Sequence, residues 1–407
     1  MTSEKGLFAG IHLLGKIGTN VVHNRLMSRS RRLTFVIPSM TGGGAERQMS
    51  YLANHAVANG YDCSLITLSN ANTDVYPLDS RVHRIGINAM RQSSGWWDSI
   101  QSNRKRIGLL KQALCDSQPD GVVSFCDRMN VMTIQAISGV GDRRMPIVIS
   151  ERSDPRQQKL GWVWEAMRHY YYPKCTACVV QTSIVGDYLK RIVGRSKPMY
   201  VIPTAFGDPG EFNSPAFPQK AYFDTPAPCK RLLFVGRLSY EKGIDRLLAA
   251  WPSLHERFTD WRLVIAGEGP EKATWIESKP EAPVSNAIDW LGWVQDVRLL
   301  MRECDAFVLP SRYEGFPNAL IEAMDSGLPC LTTNCSASIE EVIPDEKAGL
   351  VVPNDSPSLR SGLEKLLGEE NLRDQFRLHA KESVAQFSWP IVSKLWDNVL
   401  QSLIEDR

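Results

Sequence analysis

Short runs of β-branched and apolar residues alternate with helix-length amphipathic segments along most of this sequence. Such alternation predicts parallel sheets of the doubly wound α/β class, because a crossover helix must separate consecutive parallel strands. Six runs in the first half predict strands at 33–37, 63–68, 121–125, 146–150, 178–181 and 199–202. Six more predict strands at 231–235, 262–266, 288–291, 306–309, 329–332 and 350–352. We therefore expect two sheets of this class.

A proline-rich segment separates the two groups of strands. Six prolines fall between Pro203 and Pro228, and each one fixes φ and removes a backbone donor. We expect an N-terminal extension at 1–30, a Rossmann-like domain at 31–205, a linker at 206–229, a second Rossmann-like domain at 230–385 and a final helix at 386–407. Apolar residues at four-residue steps predict one face of that helix: Ile391, Leu395, Val399 and Leu403.

The composition is that of a folded protein with sizeable cores. Of 407 residues, 43% are apolar and 23% are charged, which excludes disordered and fibrous classes. No apolar run reaches the ~18 residues of a membrane helix, because Lys16 interrupts the early run at 6–22. Nine cysteines, an odd number, favour a reducing compartment. The pair Cys175 and Cys178 has the spacing of a metal or redox motif, but buried thiols explain it better.

The charge is unevenly distributed along the chain. The formal net charge is +2, yet residues 1–210 carry 26 Lys and Arg against 15 Asp and Glu, and residues 211–407 carry 21 against 30. The basic half predicts contact with something anionic, although two solvated faces could also differ in this way. Residues 1–30 predict either a helix on an anionic membrane surface or an upstream extension with translation starting at Met27.

A glycine-rich loop follows the first predicted strand. Gly42, Gly43 and Gly44 allow close approach of the backbone to a ligand just before a helix that contains Glu46. A helix N-terminus behind such glycines favours a phosphate or a sugar hydroxyl. The alternative is a simple tight turn.

Two cations follow the first strand of the second group. Arg237, directly after Gly236, and Lys242 lie five residues apart and can hold two phosphoryl groups, one through a planar fork and one as a point charge. Gly267, Glu268 and Gly269 follow the next strand and offer backbone amides to a nucleotide. Solvated charges and a generic turn are the respective alternatives.

Residues 311–327 form the most informative stretch. Pro317 suits the first position of a helix and leaves amides of Phe316, Asn318 and Ala319 unpaired at its positive end. Glu314 precedes this helix and Glu322 lies within it. Carboxylates at these two positions can accept hydrogen bonds from different sugar hydroxyls. Paired glycosidase carboxylates are disfavoured, because both residues come from one segment.

These motifs together resemble the retaining glycosyltransferases of family 4, from about Leu33 to the C terminus. The resemblance implies the GT-B fold, an α/β architecture with two Rossmann-like domains facing across a cleft. It also implies that Arg237 and Lys242 bind the donor diphosphate, that Glu314 contacts the donor sugar and that Glu322 contacts the ribose. Many members have a histidine after the fourth strand, but residues 124–130 contain none. The Ser336 loop also departs from the family pattern.

A finer similarity, in residues 42–47 and 149–155, is to bacterial transferases that extend lipid-diphosphate-linked glycans. It implies a UDP-sugar donor, an N-acetylhexosamine, a lipid-linked acceptor and a peripheral place at the cytoplasmic membrane face. It implies neither a divalent metal nor a nucleic acid partner. Four tryptophans could contribute to membrane contact: Trp96, Trp97, Trp162 and Trp164. A GDP-mannose-dependent mannosyltransferase, a GT-B epimerase and a non-catalytic nucleotide-sugar sensor stay open as alternatives.

Overall fold

The computed structural model describes residues 31–90, 96–140, 145–207, 221–223, 229–277, 282 and 284–405. The expected extension at 1–30 and most of the expected linker lie outside these residues. Residues 31–407 form one compact unit. We call its described residues from 31 to 207 the N-lobe and those from 229 to 385 the C-lobe. The domain boundaries proposed from the sequence stay predictions.

The N-lobe is built on a seven-stranded sheet. Its strands are β1 (Arg32–Ile37), β2 (Asp62–Thr67), β3 (His83–Gly86), β4 (Gly121–Phe125), β5 (Ile147–Ser150), β6 (Ala177–Val180) and β7 (Met199–Val201), in the order β3-β2-β1-β4-β5-β6-β7. Its helices are α1 (Gly44–Ala58), α2 (Trp96–Ser117), α3 (Asp127–Ser138), α4 (Trp162–Tyr171) and α5 (Ser183–Val193). The edge strand β3 was not predicted from the sequence.

The C-lobe is built on a six-stranded sheet. Its strands are β8 (Lys230–Val235), β9 (Trp261–Ala266), β10 (Ile288–Gly292), β11 (Ala306–Leu309), β12 (Cys330–Thr333) and β13 (Leu350–Val352), in the order β10-β9-β8-β11-β12-β13. Its helices are α6 (Ile244–Arg257), α7 (Lys272–Glu277), α8 (Val297–Arg302), α9 (Asn318–Asp325), α10 (Ser338–Val342), α11 (Ser356–Gly368) and α12 (Glu370–Val384). A last helix, α13 (Trp389–Glu405), follows the C-lobe.

Both sheets are parallel and buried on both faces. Along β1, Phe35 and Ile37 face one apolar cluster, whereas Val36 faces a second cluster on the other side of the sheet. This alternation follows from the two-residue period of a strand, and coverage of both faces explains why the strands have continuous apolar runs. The expected doubly wound α/β architecture is confirmed.

The strand order reverses once in each sheet, between β1 and β4 and between β8 and β11. In open parallel sheets, the crevice for ligands opens at such a reversal, outside the carboxyl ends of the strands. The fold therefore predicts that ligand-binding residues lie in the loops after β1, β4, β8 and β11.

The last helix returns to the N-lobe. Phe206 exchanges backbone hydrogen bonds with Phe387 and Trp389, and Trp396 stacks on Phe125 with ring centroids 5.6 Å apart. The buried face of α13 consists of Val392, Trp396, Val399, Leu400 and Leu403. The predicted face was wrong for two members, since Ile391 and Leu395 are 47% and 38% exposed. Steps of three and four residues, not four alone, follow a 3.6-residue period.

Within the described part of the chain, no helix combines the length and the apolar character needed to span a bilayer.

Candidate active site

Lys242 and Glu314 form a partly buried ion pair at the edge of the cleft. The Lys242 Nζ lies 2.8 Å from both carboxylate oxygens of Glu314, and the Ser311 hydroxyl donates to the same carboxylate over 2.7 Å. Burial lowers the pKa of Lys242, but the charge and hydrogen bond of Glu314 outweigh it and raise that pKa above its usual value. The structure thus brings together two residues that lie 72 positions apart in sequence.

Lys242 is fixed by a short 3₁₀ turn after β8. The turn Tyr240–Lys242 ends at Gly243, whose φ of +68° lies in the left-handed region. A Cβ atom at Gly243 would overlap the Pro310 carbonyl oxygen, so only glycine permits α6 to begin against the end of β11. This close contact holds Lys242 beside the segment that contains Glu314.

Arg237 differs from Lys242 in being exposed. No hydrogen bond or ion pair joins its side chain to another residue in the described ranges. Burial raises the pKa of Glu46 in α1, and the positive charge of Arg237 acts in the opposite direction and lowers it. Arg237 is therefore close enough to interact with the N-lobe. The exposed guanidinium therefore faces the cleft region with its hydrogen-bonding capacity available for a ligand.

The two glycine loops after β8 and β9 pack on each other. The Leu238 amide donates to the Glu268 carbonyl over 2.9 Å, and a Cβ at Gly267 or Gly269 would overlap backbone atoms of Gly236 or Leu238. These glycines permit close packing between loops. The Glu268 side chain is half exposed and pairs with Lys272 at 2.6 Å.

The helix α9 begins one residue later than expected. Pro317 precedes it and Asn318 is its first residue. Phe316 is buried and packs edge-on against Phe387 with centroids 5.5 Å apart, so its side chain belongs to the core and only its backbone is available to a ligand. The Asn318 amide, predicted to be unpaired, donates a hydrogen bond to the Phe316 carbonyl over 2.9 Å, so that prediction was wrong. The amide of Ala319 is among the first of the helix, and such amides have no acceptor within the helix.

The glycine-rich loop of the N-lobe lies directly against α9. A Cβ at Gly44 would overlap the Asn318 side-chain amide, and a Cβ at Gly43 would crowd the Glu46 carboxylate. Gly42 has a φ of +112°, which favours glycine. The loop residues expected at the site are thus close to the other lobe, and Gly44 lies against the Asn318 side chain.

Arg47, which follows Glu46, forms an ion pair with Glu322 across the lobes. Burial lowers the pKa of Arg47, but the charge and hydrogen bond of Glu322 outweigh it and raise that pKa above its ordinary value. In the sequence, Arg47 is only one residue of the motif at 42–47. No local pattern could have matched it with a partner 275 positions away.

A cavity of about 160 Å³ opens between the lobes beside the Lys242 and Glu314 pair. Its lining consists of Arg152, Ser153, Asp154, Gln158, Glu241, Lys242, Tyr313, Glu314 and Gly315. Arg152 donates to the Thr204 hydroxyl over 2.9 Å, and burial lowers its pKa to about 10. The segment after β5 therefore faces the predicted site residues, although no residue of this segment was predicted as part of the site.

The segment after β5 begins with a buried carboxylate, that of Glu151. Glu151 is 1% exposed and accepts a hydrogen bond from the Tyr172 hydroxyl over 2.8 Å. Burial, together with the charge of Asp127, raises the pKa of Glu151 to about 7. Arg168, 3.8 Å away, opposes this shift. Glu151 therefore titrates near neutral pH one residue from the cavity.

The end of β4, where many family members have a histidine, is strained here. Cys126 has a φ of +74°, an unfavourable conformation for a residue with a side chain. Burial raises the pKa of its thiol, so Cys126 is not a ready nucleophile. Cys175 and Cys178 are likewise buried thiols. Within the described ranges, no cluster of three or more His, Cys, Asp or Glu residues could hold a metal ion.

Two family models match the chain. The model for glycosyltransferase family 4 matches residues 42–206, and the model for glycosyl transferases group 1 matches residues 221–383. The first covers the glycine-rich loop and Arg152, and the second covers both cations and both glutamates of the cleft.

Three known proteins illustrate the similarity. A transferase of Campylobacter jejuni, named as an α-1,4-N-acetylgalactosaminyltransferase acting on a diNAcBac-diphospho-undecaprenol-linked glycan, is 29% identical over 90% of this chain and 97% of its own. The amylovoran biosynthesis glycosyltransferase AmsD of Erwinia amylovora is 27% identical over 88% of this chain and 96% of its own. HepE of Anabaena, solved with UDP, shares the fold with a TM-score of 0.69 at 15% identity. The match covers 91% of this chain and 100% of HepE.

Proposed function

The chain belongs to the GT-B-fold glycosyltransferases of family 4, and on that premise we propose that it transfers an N-acetylhexosamine from a UDP-sugar to a polyprenyl-diphosphate-linked glycan, with retention at the anomeric carbon. The acceptor class follows the name of the Campylobacter relative and the polysaccharide pathway named for AmsD. One observation carries the proposal. Lys242 and Glu314 face Arg152 across a cavity that both lobes line.

The departing diphosphate is stabilised by charge. In the proposed reaction the bond between the anomeric carbon and the phosphate oxygen breaks, and negative charge develops on that oxygen. Arg237 binds this group through its guanidinium. Lys242 donates one of its hydrogen bonds to the phosphate while it keeps another to Glu314. Groups that meet developing charge in this way supply a large share of the rate in comparable enzymes.

Retention places the incoming hydroxyl on the face from which the diphosphate leaves. The acceptor oxygen forms its bond to the anomeric carbon while its proton passes to the phosphate oxygen that departs. This transfer needs no protein base on the opposite face and no divalent metal in the proposed scheme. Glu314 accepts hydrogen bonds from hydroxyls of the donor sugar.

The main experiment combines purified protein with a panel of nucleotide sugars and a polyprenyl-diphosphate-linked glycan, with product analysis by mass spectrometry and NMR. We expect one added N-acetylhexosamine from the UDP donor, in the α configuration, only when the acceptor is present. Transfer from GDP-mannose would replace the proposed donor. Turnover of the donor without any acceptor would favour an epimerase, and binding without turnover would favour a sensor.

The acceptor class also predicts contact with the cytoplasmic membrane surface, and α4 offers a surface for it. Trp162, Val163 and Tyr170 lie on one side of α4 and are 85%, 45% and 64% exposed. Lys174 lies 3.7 Å from the Tyr170 ring centroid, and Lys159 is exposed just before the helix. Exposed aromatic rings with neighbouring cations suit the interface of an anionic bilayer.

The other tryptophans contribute less to this surface. Trp164 packs partly into the core and stacks with Arg128 at 5.3 Å. The side chains of Trp96 and Trp97 lie outside the described residues. Trp162 is therefore the tryptophan on which the membrane proposal depends.

Flotation with vesicles of phosphatidylglycerol and phosphatidylcholine tests the membrane proposal. We expect the wild-type protein to float at low salt, and Trp162→Ser with Tyr170→Ser to reduce that fraction strongly. Leu378→Ser is the matched control, because Leu378 is 77% exposed on α12, away from α4. Equal flotation of all three proteins would exclude α4 as the contact surface. Wild-type protein that stays in the soluble fraction would contradict the membrane contact itself.

A further inference from the structure

A cation of the N-lobe is bound to the carboxylate that the family resemblance assigns to the donor ribose. Arg47 lies in the first turn of α1, and its Nη2 donates to Oε1 of Glu322 in α9. No other described side chain donates a hydrogen bond to this carboxylate. The second oxygen, Oε2, is thus left for another donor.

A neutral ligand cannot take over the role of this cation. The Glu322 side chain is 8% exposed and that of Arg47 is 22% exposed. Removal of one member of a buried ion pair is unfavourable, because the remaining charge has neither water nor a partner. Ribose hydroxyls can donate hydrogen bonds to a carboxylate, but they carry no charge to neutralise it.

The first residues of α1 and α9 lie against each other beside the pair. Gly44 begins α1 and Asn318 begins α9, and a Cβ at Gly44 would overlap the Asn318 side-chain amide. The N-termini of the two helices are therefore in direct contact. The buried Nε of Arg47 has no hydrogen-bond partner among the described residues.

We infer that Arg47 stays paired with Glu322 when the nucleotide is bound, and that it holds the carboxylate oriented so that Oε2 accepts the hydrogen bonds of the ribose hydroxyls. The inference rests on the proposed function for the assignment of Glu322 to ribose. Arg47 is then a positioning residue supplied by the opposite lobe. Because the ribose subsite is complete only when α1 meets α9, donor binding favours contact between the lobes by thermodynamic linkage.

The test compares two nucleotides that differ only in the ribose hydroxyls. Affinities for UDP and for 2′,3′-dideoxyuridine 5′-diphosphate are measured by calorimetry on the wild-type chain, Arg47→Gln and Arg47→Lys. We expect Arg47→Gln to weaken UDP binding at least ~10-fold, as for a lost hydrogen bond to a charged group, and to leave the dideoxy analogue nearly unchanged. Arg47→Lys retains the charge and should lose less affinity for UDP.

Arg262→Gln is the matched control, since Arg262 pairs with Asp289 at 2.5 Å between neighbouring strands of the C-lobe sheet. It should bind both nucleotides as the wild-type chain does. Thermal melting of each variant reports whether it is folded. If Arg47→Gln does not fold, Arg47→Lys still separates the outcomes by a loss that is selective for UDP.

Three results would overturn the inference. If Arg47→Gln loses equal affinity for both nucleotides, Arg47 has a general structural role. If its affinity for UDP is unchanged, Arg47 does not belong to the ribose subsite. If it binds UDP more tightly, Arg47 competes with the ribose for Glu322. Failure of the proposed function is distinct from these. A wild-type chain that binds GDP in place of UDP contradicts the proposed base alone, and the same comparison is then made with GDP and its dideoxy analogue. Binding of neither nucleotide would contradict both proposals.

Discussion

At the scale of single residues, the ion pair of Lys242 and Glu314 is the most direct target. We expect Lys242→Ala to lower kcat/KM at least ~10²-fold, because it removes a cation from the departing diphosphate and leaves Glu314 uncompensated. Initial rates at varied donor concentration give this value. Lys230→Ala is the control, because its exposed pair with Asp260, at 3.2 Å, should contribute little. Near-normal kinetics of Lys242→Ala would remove this residue from the site.

Glu151 gives the molecule a pH dependence of known sign. Its pKa is about 7 in the folded chain against a usual 4.5, so between these values the folded state binds more protons than the unfolded state. The contribution of Glu151 to the free energy of unfolding therefore falls as pH rises through this window and stays low above it. Glu151→Gln should remove the fall, which is on the order of 1 to 3 kcal/mol.

Urea unfolding of both proteins at pH 5 and pH 8 measures this effect. We expect Glu151→Gln to gain stability relative to the wild-type chain at the higher pH, since a neutral amide needs no desolvation of charge. A relative stability that does not change with pH would show that Glu151 is already ionised throughout.

Residue-level prediction from the sequence was uneven, and distance along the chain explains why. The motif spacing singled out Lys242, Glu314 and Glu322, and the first two prove to be in contact. It did not single out Arg47 or Arg152, whose significance comes from partners contributed by other segments. A pattern within one segment cannot reveal a pairing that only tertiary structure creates.

At the scale of elements, the alternating pattern predicted twelve of the thirteen strands in the described part of the chain. Most of these strands are buried on both faces and therefore have continuous apolar runs. The exception, β3, reads His-Arg-Ile-Gly and is not fully buried at any position. Its sequence has no apolar run that would indicate a strand, and its strand conformation is seen from the backbone pairing with β2. The buried face of α13 was predicted only in part. This helix has apolar residues on several sides, so more than one apolar stripe fits its sequence.

The junction between the 3₁₀ turn and α6 can be tested at Gly243. Gly243→Ala combines a left-handed φ with overlap on the Pro310 carbonyl, whereas Gly60→Ala has a φ of +85° but open space around the new Cβ. We expect Gly60→Ala to cost about 1 kcal/mol of stability, and Gly243→Ala roughly 2 kcal/mol more from the overlap. Chemical denaturation measures both variants.

The same substitution should also reduce activity, because Lys242 immediately precedes Gly243. A Gly243→Ala protein that is destabilised but fully active would show that the ion pair tolerates movement of the turn. Equal stability of the two variants would show that the backbone relieves the overlap at no cost.

At the scale of the whole molecule, the lobes are joined by more than the cleft. The last helix of the chain fills the core of the first lobe, with Trp396 only 2% exposed against Phe125. His55 of α1 also contacts Asp397 at 2.7 Å. The N-lobe therefore lacks part of its core until the C-terminal residues arrive, which makes its stability dependent on the complete chain.

Trp396→Ala tests this dependence. Truncation of a large aromatic side chain in a packed core costs ~3 to 5 kcal/mol, so we expect a marked loss of stability although the change lies near the C terminus. Leu395→Ala, on the same helix but 38% exposed, should change stability little. Because α13 belongs physically to the N-lobe, the Trp396→Ala transition should report unfolding of that lobe, as seen by hydrogen exchange in β1 and β4. Exchange that increases in the C-lobe sheet instead would contradict this assignment of the helix.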